Sequence, residues 1–251
     1  PLTLQMLMNH AEQVNPTTEI VSVTSDNPRH RYTFKDAFSR TRQLANALKC
    51  NPEEIIFTSS GSESNNMVLK GVLNPGDHFI TSSYEHPAIL KVLPYLESNN
   101  ISTTIINPDR NGLILPSDIE ENINANTRLI SIMWVNNELG TINPISEIGS
   151  IARNRNILFH SDAVQALGKI YINVDETPVD FLSMSAHKLY GPKGIGALYK
   201  RRGLKLEPLI HGGGQESNLR ASTENIGGIA GFGMAAELST SKLEENTNHI
   251  L

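Results

Sequence analysis

The sequence has very little cysteine and no long apolar run. Cys50 is the only cysteine among the 251 residues, which excludes an internal disulfide framework and a cysteine-rich metal site. No stretch of about 18 apolar residues occurs, and residues 1–4 lack the basic and then apolar order of a signal peptide. These absences lead us to expect a cytoplasmic protein without a membrane span, in a reducing compartment.

Positive charge is also scarce. The chain has 21 Lys and Arg against 26 Asp and Glu, a net charge of -5. The basic residues form no stripe along which a nucleic-acid backbone could lie, so we expect no nucleic-acid partner. Hydrophobic residues make up 39% of the chain, which is enough for the buried core of one large domain.

Short apolar runs alternate with polar, helix-like stretches along the chain. The apolar runs are 54–58, 78–82, 102–106, 129–135, 157–160, 180–183 and 194–199, and the helix-like stretches are 2–14, 34–48, 63–73, 87–98, 116–122, 145–154 and 224–246. Run 129–135 is apolar on both faces, which is typical of a strand with helices on both sides of its sheet. The pattern predicts an α/β fold with a seven-stranded, mostly parallel sheet sandwiched by helices.

The chain divides into three parts by pattern. We predict an N-terminal arm at residues 1–31, a large domain at 32–223, and at 224–251 the start of a helix that leads to a small C-terminal domain. The pattern changes after Tyr199, since residues 201–223 are glycine-rich and irregular. The chain starts at Pro1 and ends within a polar, helix-like stretch, so we expect it to be truncated at both ends.

Polar residues follow five of the predicted strands. The carboxyl ends of parallel strands line the crevice in which open α/β folds bind ligands. Small residues before a helix suit a phosphate at the helix N terminus, although ordinary N-caps have the same composition. The polar segments are Thr-Ser-Ser-Gly-Ser-Glu-Ser-Asn at 58–65, Tyr-Glu-His-Pro at 84–87, Asn-Asn-Glu-Leu-Gly at 136–140, His-Ser-Asp-Ala-Val-Gln at 160–165 and Ser-Met-Ser-Ala-His-Lys at 183–188.

Such a set of residues suits pyridoxal 5'-phosphate (PLP). That cofactor needs a lysine for covalent attachment, a carboxylate for its ring nitrogen, a flat partner for the ring and a phosphate site. A lone lysine is more often a solvated surface residue, but Gly-Pro-Lys-Gly follows the His187-Lys188 pair closely. We predict that Lys188 forms the Schiff base with PLP and that Asp162 pairs with the protonated ring nitrogen.

Six motifs occur in the order seen in one known family. They are Phe-Thr-Ser-Ser-Gly-Ser-Glu-Ser-Asn-Asn at 57–66, Glu-His-Pro-Ala at 85–88, Val-Asn-Asn-Glu-Leu-Gly at 135–140, Asp-Ala-Val-Gln at 162–165, Ser-Ala-His-Lys-Leu-Tyr-Gly-Pro-Lys-Gly at 185–194 and His-Gly-Gly-Gly-Gln-Glu at 211–216. With these motifs the chain resembles the cysteine desulfurases, in the class V aminotransferase group of fold-type-I PLP enzymes. The resemblance spans nearly the whole chain and implies the large domain of that fold.

The resemblance also implies roles for single residues. Lys188 would hold PLP, and His86 would stack on the ring and transfer protons. Thr223 stands where the family has a threonine that reaches the phosphate of the other subunit, which implies a homodimer with shared active sites. The remaining cofactor-binding residues implied are Asp162 at the ring nitrogen, Asn137 and Gln165 near the phenolic oxygen and the substrate, and Gly61, Ser62, Ser185 and His187 at the phosphate.

The chain departs from the family pattern in several places. At 216–223 the family has Glu-Arg-Gly-x-Arg-Ser-Gly-Thr, and this chain has Glu-Ser-Asn-Leu-Arg-Ala-Ser-Thr, which leaves the loop geometry and its arginine contacts open. Ser62 stands where threonine is common. The family's sulfur-accepting cysteine and its arginine for the substrate carboxylate lie in a C-terminal segment that residues 1–251 lack. We predict a structural role for Cys50, which lies between a helix and a strand.

The leading hypothesis is a PLP-dependent cysteine desulfurase. It would convert L-cysteine to L-alanine and leave a persulfide for iron–sulfur cluster or thio-cofactor assembly through an acceptor or scaffold protein. Another class V reaction, such as a cysteine or selenocysteine lyase, an aminotransferase or an epimerase, remains an alternative, as does a non-catalytic fragment that binds PLP or a protein partner. A metal hydrolase using His86, His160, Asp162 and His187 is a further alternative, but metal-binding spacing such as His-x-x-x-His is missing, and we expect no metal.

Overall fold

The main feature of the computed structural model is a seven-stranded sheet. The model describes residues 10, 12–22, 30–33 and 42–250. The strands of this sheet are β3 (Ile55–Thr58), β4 (His78–Ser82), β5 (Ser102–Ile106), β6 (Thr127–Ser131), β7 (Leu158–Asp162), β8 (Phe181–Ser185) and β9 (Gly196–Lys200). They lie in the order β3-β9-β8-β7-β6-β4-β5, and every pairing is parallel except those that β9 makes with β3 and β8. The predicted sheet is confirmed.

Helices cover the sheet. They are α1 (Gly61–Val72), α2 (Pro87–Leu90), α3 (Leu93–Ser98), α4 (Pro116–Glu121), α5 (Ile145–Asn154), α6 (Ile226–Ser241) and α7 (Leu243–Ile250). Residues 42–48 are also helical. Within the predicted helix-like stretches at 2–14 and 34–48, residues 1–9, 11 and 34–41 lie outside the described part of the chain.

The core lies on both faces of the sheet. Phe79 and Leu129 pack into one cluster of buried residues, and their chain neighbours Ile80 and Ile130 pack into the other. Side chains alternate between the two faces along a strand, so a strand that is buried on both faces has no polar side. Helix α1 contributes Met67 to the first cluster, and α5 and α6 lie on the opposite face. The predicted sandwich is confirmed.

Three predicted elements differ most from the observed ones. The strand predicted at 129–135 ends at Ser131, because the Met133 amide donates to the Glu85 carboxyl instead of to a strand. The helix predicted at 87–98 is two short helices, because Pro94 has no amide hydrogen to continue α2. The helix predicted at 224–246 is interrupted at Lys242, between α6 and α7.

A small second sheet overlaps the predicted N-terminal arm at 1–31 and extends two residues beyond it. Strands β1 (Glu19–Ser22) and β2 (His30–Thr33) pair antiparallel, and the sequence analysis predicts neither. Among the described residues, no helix is both long and apolar enough to cross a membrane.

Candidate active site

The predicted site residues follow strands that end at one edge of the sheet. Strands β4, β6, β7 and β8 are parallel, and β3 points the same way as β8 because β9 is antiparallel to both. Thr58, Gly196 and Ser185 lie in one row across β3, β9 and β8. The start of α1, just after β3, is therefore beside the end of β8.

Asp162 ends β7 as a buried carboxylate. Its side chain accepts hydrogen bonds from Asn65 Nδ2 at 2.7 Å and from the Val164 amide at 3.0 Å, and the residue is 5% exposed. Burial raises the pKa of Asp162, against the opposing effects of these two hydrogen bonds and of the His86 charge. A desolvated carboxylate of this kind is stabilised by a cationic partner.

The N terminus of α1 packs tightly against the ends of β7 and β8. The Ser60 hydroxyl caps the helix by accepting from the Glu63 amide at 3.1 Å. A Cβ atom at Gly61 would lie 2.7 Å from Val164 Cγ2 and 3.7 Å from Ser185 Cβ, so a residue without a side chain is needed here. The other amides of the first turn have no acceptor within the helix, and they suit an anion.

Ser185 and His187 form the other side of this anion site. Ser185 Oγ and His187 Nδ1 are 2.8 Å apart, and Ser185 is buried at the end of β8. His187 and Ser62 are exposed. The structure thus places Gly61, Ser185 and His187 close together, and Ser62 follows Gly61 in the same helical turn.

Lys188 lies in the short 3-10 helix Ala186–Leu189, which directly follows β8, and its side chain is exposed. The pKa values of His187 and Lys169 are lowered, mainly by burial and to a smaller extent by the charge of Lys188. Lys169 Nζ donates to Gln165 Oε1. Lys188 and Gln165 therefore both lie near Lys169, beside the ends of β7 and β8.

Three predicted residues make fewer contacts with the site residues described above. His86 is the exposed N-cap of α2, where its Nδ1 accepts from the Ala88 amide at 3.1 Å. It interacts with the other site residues through its charge, which acts to lower the pKa of Asp162. Asn137 is exposed and donates to Glu138 Oε1 at 2.8 Å. Thr223 lines a cavity with Ser59. Within residues 42–250, no hydrogen bond joins these three residues to Asp162 or Lys188.

Two buried polar residues to which the sequence analysis gives no part in the PLP site, Asn65 and His160, support that site. Asn65 holds Asp162. The fully buried His160 places its ring nitrogens 2.7 Å from Ser131 Oγ and 2.9 Å from Ser183 Oγ, and burial lowers its pKa to about 3. Polar side chains within otherwise apolar runs are the sequence signal that indicates such residues.

The loop at 216–223 contacts α1 and β3 although its sequence departs from the family pattern. Arg220 Nε donates to Glu63 Oε1 at 2.8 Å, and Glu216 Oε2 accepts from the Phe57 amide at 2.9 Å. Asn218 and Ser222, where the family has glycine, have φ angles of 66° and 124°. The loop geometry is therefore of the kind that glycine favours, although glycine is missing.

Cys50 does not resemble an activated thiol. It is partly buried, and desolvation, reinforced by the charges of Glu54 and Asp175, raises its pKa to about 12. A sulfur nucleophile needs the opposite shift. Among the described residues, no group of three or more His, Cys, Asp or Glu side chains could hold a metal ion.

Comparison with known proteins gives one consistent family. The family model described as aminotransferase class-V matches residues 11–250. The cysteine desulfurase IscS of Dictyoglomus turgidum is 50% identical over 212 residues, which are 83% of this chain and 54% of that protein. The IscS of Clostridium botulinum strain Hall is 45% identical over 233 residues, which are 89% of this chain and 59% of that protein. The chain thus spans a little over half the length of these relatives.

Solved structures agree with the sequence comparison. A NifS-like protein has a TM-score of 0.82 and 38% identity, over 86% of this chain and 60% of that one. A structure of SspA in complex with cysteine has a TM-score of 0.77 and 38% identity, over 99% of this chain and 75% of that one.

Proposed function

This chain belongs to the class-V aminotransferase family, and from that membership we propose that its site binds PLP as part of a cysteine desulfurase. The proposed reaction releases L-alanine from L-cysteine and passes the sulfur to an acceptor thiol. Relatives of 45–50% identity bear the name cysteine desulfurase IscS. Because the chain spans only part of their length, the activity of the whole protein rests on this proposal.

Asp162 is the observation that carries the cofactor proposal. Its carboxylate is buried, and burial raises its pKa; its two hydrogen-bond donors are uncharged, so a protonated pyridine nitrogen would supply a cationic partner in direct contact. Asn65 and the Val164 amide donate to its two oxygens and fix the orientation of the carboxylate. A residue this constrained at the end of a central strand fits the far end of the PLP ring.

The phosphate end of PLP would lie at the start of α1. The amides near Gly61, the Ser62 and Ser185 hydroxyls and His187 offer hydrogen-bond donors beside a helix N terminus, which favours negative charge. Lys188 would carry the cofactor covalently, and Gln165 would face its phenolic oxygen. When bound, PLP supplies an electron-withdrawing ring conjugated to the substrate Cα.

The protein's own residues would bind the substrate and move protons. His86 carries an imidazole, a side chain that can both accept and donate a proton, and its charge acts on Asp162; we assign it ring stacking and proton transfer. Asn137 would contact the substrate after a local rearrangement from its present bond to Glu138. The raised pKa of Cys50 supports an acceptor thiol elsewhere in the protein.

A homodimer with shared active sites completes the proposal. Large apolar side chains are exposed around the site, with Tyr190 at 103%, Leu139 at 64% and Ile142 at 52% of full exposure. Residues of this kind are enriched at protein interfaces. We assign Thr223 to the partner's phosphate, residues 32–223 to the PLP-binding domain, 1–31 to an arm, and 224–251 to the start of a helix that leads on to a small domain. Sedimentation of the protein at several concentrations tests the dimer.

A cofactor titration tests the site. PLP added to the protein should give an absorbance band near about 400–430 nm that borohydride abolishes, as an imine of this cofactor does. The Lys188→Ala variant should lack the band. Lys193→Ala, a matched loss of an exposed lysine five positions away, should keep it. A reducible band that survives in Lys188→Ala would contradict the assignment.

A product assay tests the reaction. The whole protein, which would supply the acceptor thiol, should convert L-cysteine to equal amounts of alanine and, in the presence of a thiol reductant, sulfide. Lys193→Ala should retain this conversion and Lys188→Ala should lose it. A keto acid in place of alanine would indicate an aminotransferase, and an absence of turnover by a PLP-loaded protein would indicate a binding domain.

A further inference from the structure

A buried carboxyl group lies beside the proposed proton-transfer residue. Glu85 precedes His86 and is 3% exposed. Its Oε1 accepts hydrogen bonds from Ser82 Oγ at 2.6 Å and from the Met133 amide at 2.8 Å. Its Oε2 is also buried, and within the described part of the chain it has no hydrogen-bond partner. Both bonds thus reach one oxygen, and the other is buried without a donor among the described residues.

This geometry favours an uncharged acid. A buried carboxylate oxygen without a donor carries a large desolvation penalty, which protonation reduces. Burial raises the pKa of Glu85 to about 8 against its two hydrogen bonds, and the Asp162 charge on β7 adds to the increase. The groups that reach Glu85 from β4 and from the segment after β6 are a hydroxyl and a backbone amide, neither of which carries a charge.

Further hydrogen bonds join the same two segments. Asn136 Nδ2 donates to the Tyr84 carbonyl at 3.2 Å, and Tyr84 Oη donates to Asn143 Oδ1 at 3.0 Å. Asn143 Nδ2 in turn donates to the Met133 carbonyl at 2.8 Å. The segment that ends in His86 is therefore fixed against the segment that carries Asn137, and Glu85 is the buried centre of this connection.

We propose that Glu85 is a positioning residue, acting as a neutral carboxylic acid, that holds the His86 segment against the segment after β6. The consequence for catalysis rests on the proposed function, because it assumes the role of His86. The connection itself does not depend on that assumption. Experiments on the protein without cofactor therefore test Glu85 separately from the desulfurase proposal.

Hydrogen–deuterium exchange tests the connection. Glu85→Ala should raise exchange in peptides covering 83–90 and 132–138 by about tenfold, since two hydrogen bonds are lost. Glu85→Gln, which keeps an uncharged acceptor, should remain within about threefold of the parent. Glu97→Gln, the same change at an exposed position on α3, should change neither peptide. Unchanged exchange in Glu85→Ala would overturn the positioning role.

Should Glu85→Ala fail to fold, Ser82→Ala takes its place. It removes one of the two bonds to Oε1 and should raise exchange in the same two peptides by a smaller factor. Equal exchange in Ser82→Ala and the parent would overturn the connection.

The pH dependence of folding tests the neutral form. Between about pH 5 and pH 8 the folded carboxyl keeps its proton and the unfolded one has lost it, so rising pH favours unfolding. The folding equilibrium constant of the parent relative to Glu85→Gln should fall by close to tenfold per pH unit in this window and level off above it. A constant ratio would show that Glu85 is ionised in the folded protein.

PLP binding connects the result to the proposed function. Glu85→Ala should weaken PLP affinity, and Glu85→Gln should restore it. If the parent binds no PLP, the proposed function fails, and the exchange and folding experiments still decide the role of Glu85. If PLP binds equally to all three proteins, Glu85 does not position His86 for the cofactor.

Discussion

Acidification should destabilise the protein through His160. This side chain is fully buried, and its two ring nitrogens are 2.7 Å and 2.9 Å from the hydroxyls of Ser131 and Ser183. Burial lowers its pKa to about 3. The imidazole of the unfolded chain titrates near about 6.5, so the folded and unfolded states hold different numbers of protons between these two values.

The size of the effect follows from this difference in bound protons. Below about pH 6.5 the unfolded state takes up a proton that the folded state does not, so the free energy of unfolding decreases as the pH falls. The loss is about 1.4 kcal/mol per pH unit. From pH 6.5 to pH 5 it amounts to about 2 kcal/mol, and the full stability is present only above pH 6.5.

Urea denaturation between pH 5 and pH 7.5 measures the effect. His160→Gln removes the titrating group, so the free energy of unfolding of the variant lacks the pH-dependent contribution of His160. The difference between the free energies of unfolding of parent and variant, the gap, should therefore narrow by about 2 kcal/mol on acidification. Titrating groups common to both proteins, including Glu85, cancel in the difference. His211→Gln, the same change at an exposed position, is the matched control. A gap that stays constant for His160→Gln would refute the reasoning.

Four further substitutions test other parts of the structure. Ser222→Gly should raise the free energy of unfolding by about 1 kcal/mol in urea denaturation, since φ is 124° at this position; a loss of stability would contradict the strain. Gly196→Ala should lower the free energy of unfolding by on the order of 2 kcal/mol, since the added Cβ would lie 2.5 Å from the Ser60 backbone. Gly227→Ala, in open space on α6, should raise the free energy of unfolding slightly. Cys50→Ser should leave alanine production from L-cysteine unchanged. A loss of alanine production in this variant would identify the Cys50 thiol as the sulfur acceptor.

The fold could be predicted from the sequence because the strands are buried on both faces. Run 78–82 is apolar or small after His78 and is bounded by turn residues, so its limits match the observed strand. The β1–β2 pair escaped prediction because its four-residue strands, such as Glu19–Ser22, have at most two consecutive apolar residues. The end of β6 depended on Glu85, a partner 48 positions away, which no local pattern reveals.

The sequence predicts which residues form the site, but it does not predict the contacts that support them. The position of Asp162 and Lys188 after neighbouring strands follows from the rule that strand ends meet at one edge. The hydrogen bond from Asn65 to Asp162 spans 97 positions, and the bridge from His160 to Ser131 spans 29. Such pairings depend on strand order and register, which the sequence pattern does not specify.

The attachment point of the cofactor is the most direct test of the account. The protein is loaded with PLP, reduced with borohydride and digested, and the modified peptide is mapped by tandem mass spectrometry. The account predicts a single modified lysine, Lys188, at the end of β8. Modification at Lys169 or Lys193 instead, with Lys188 unmodified, would contradict it.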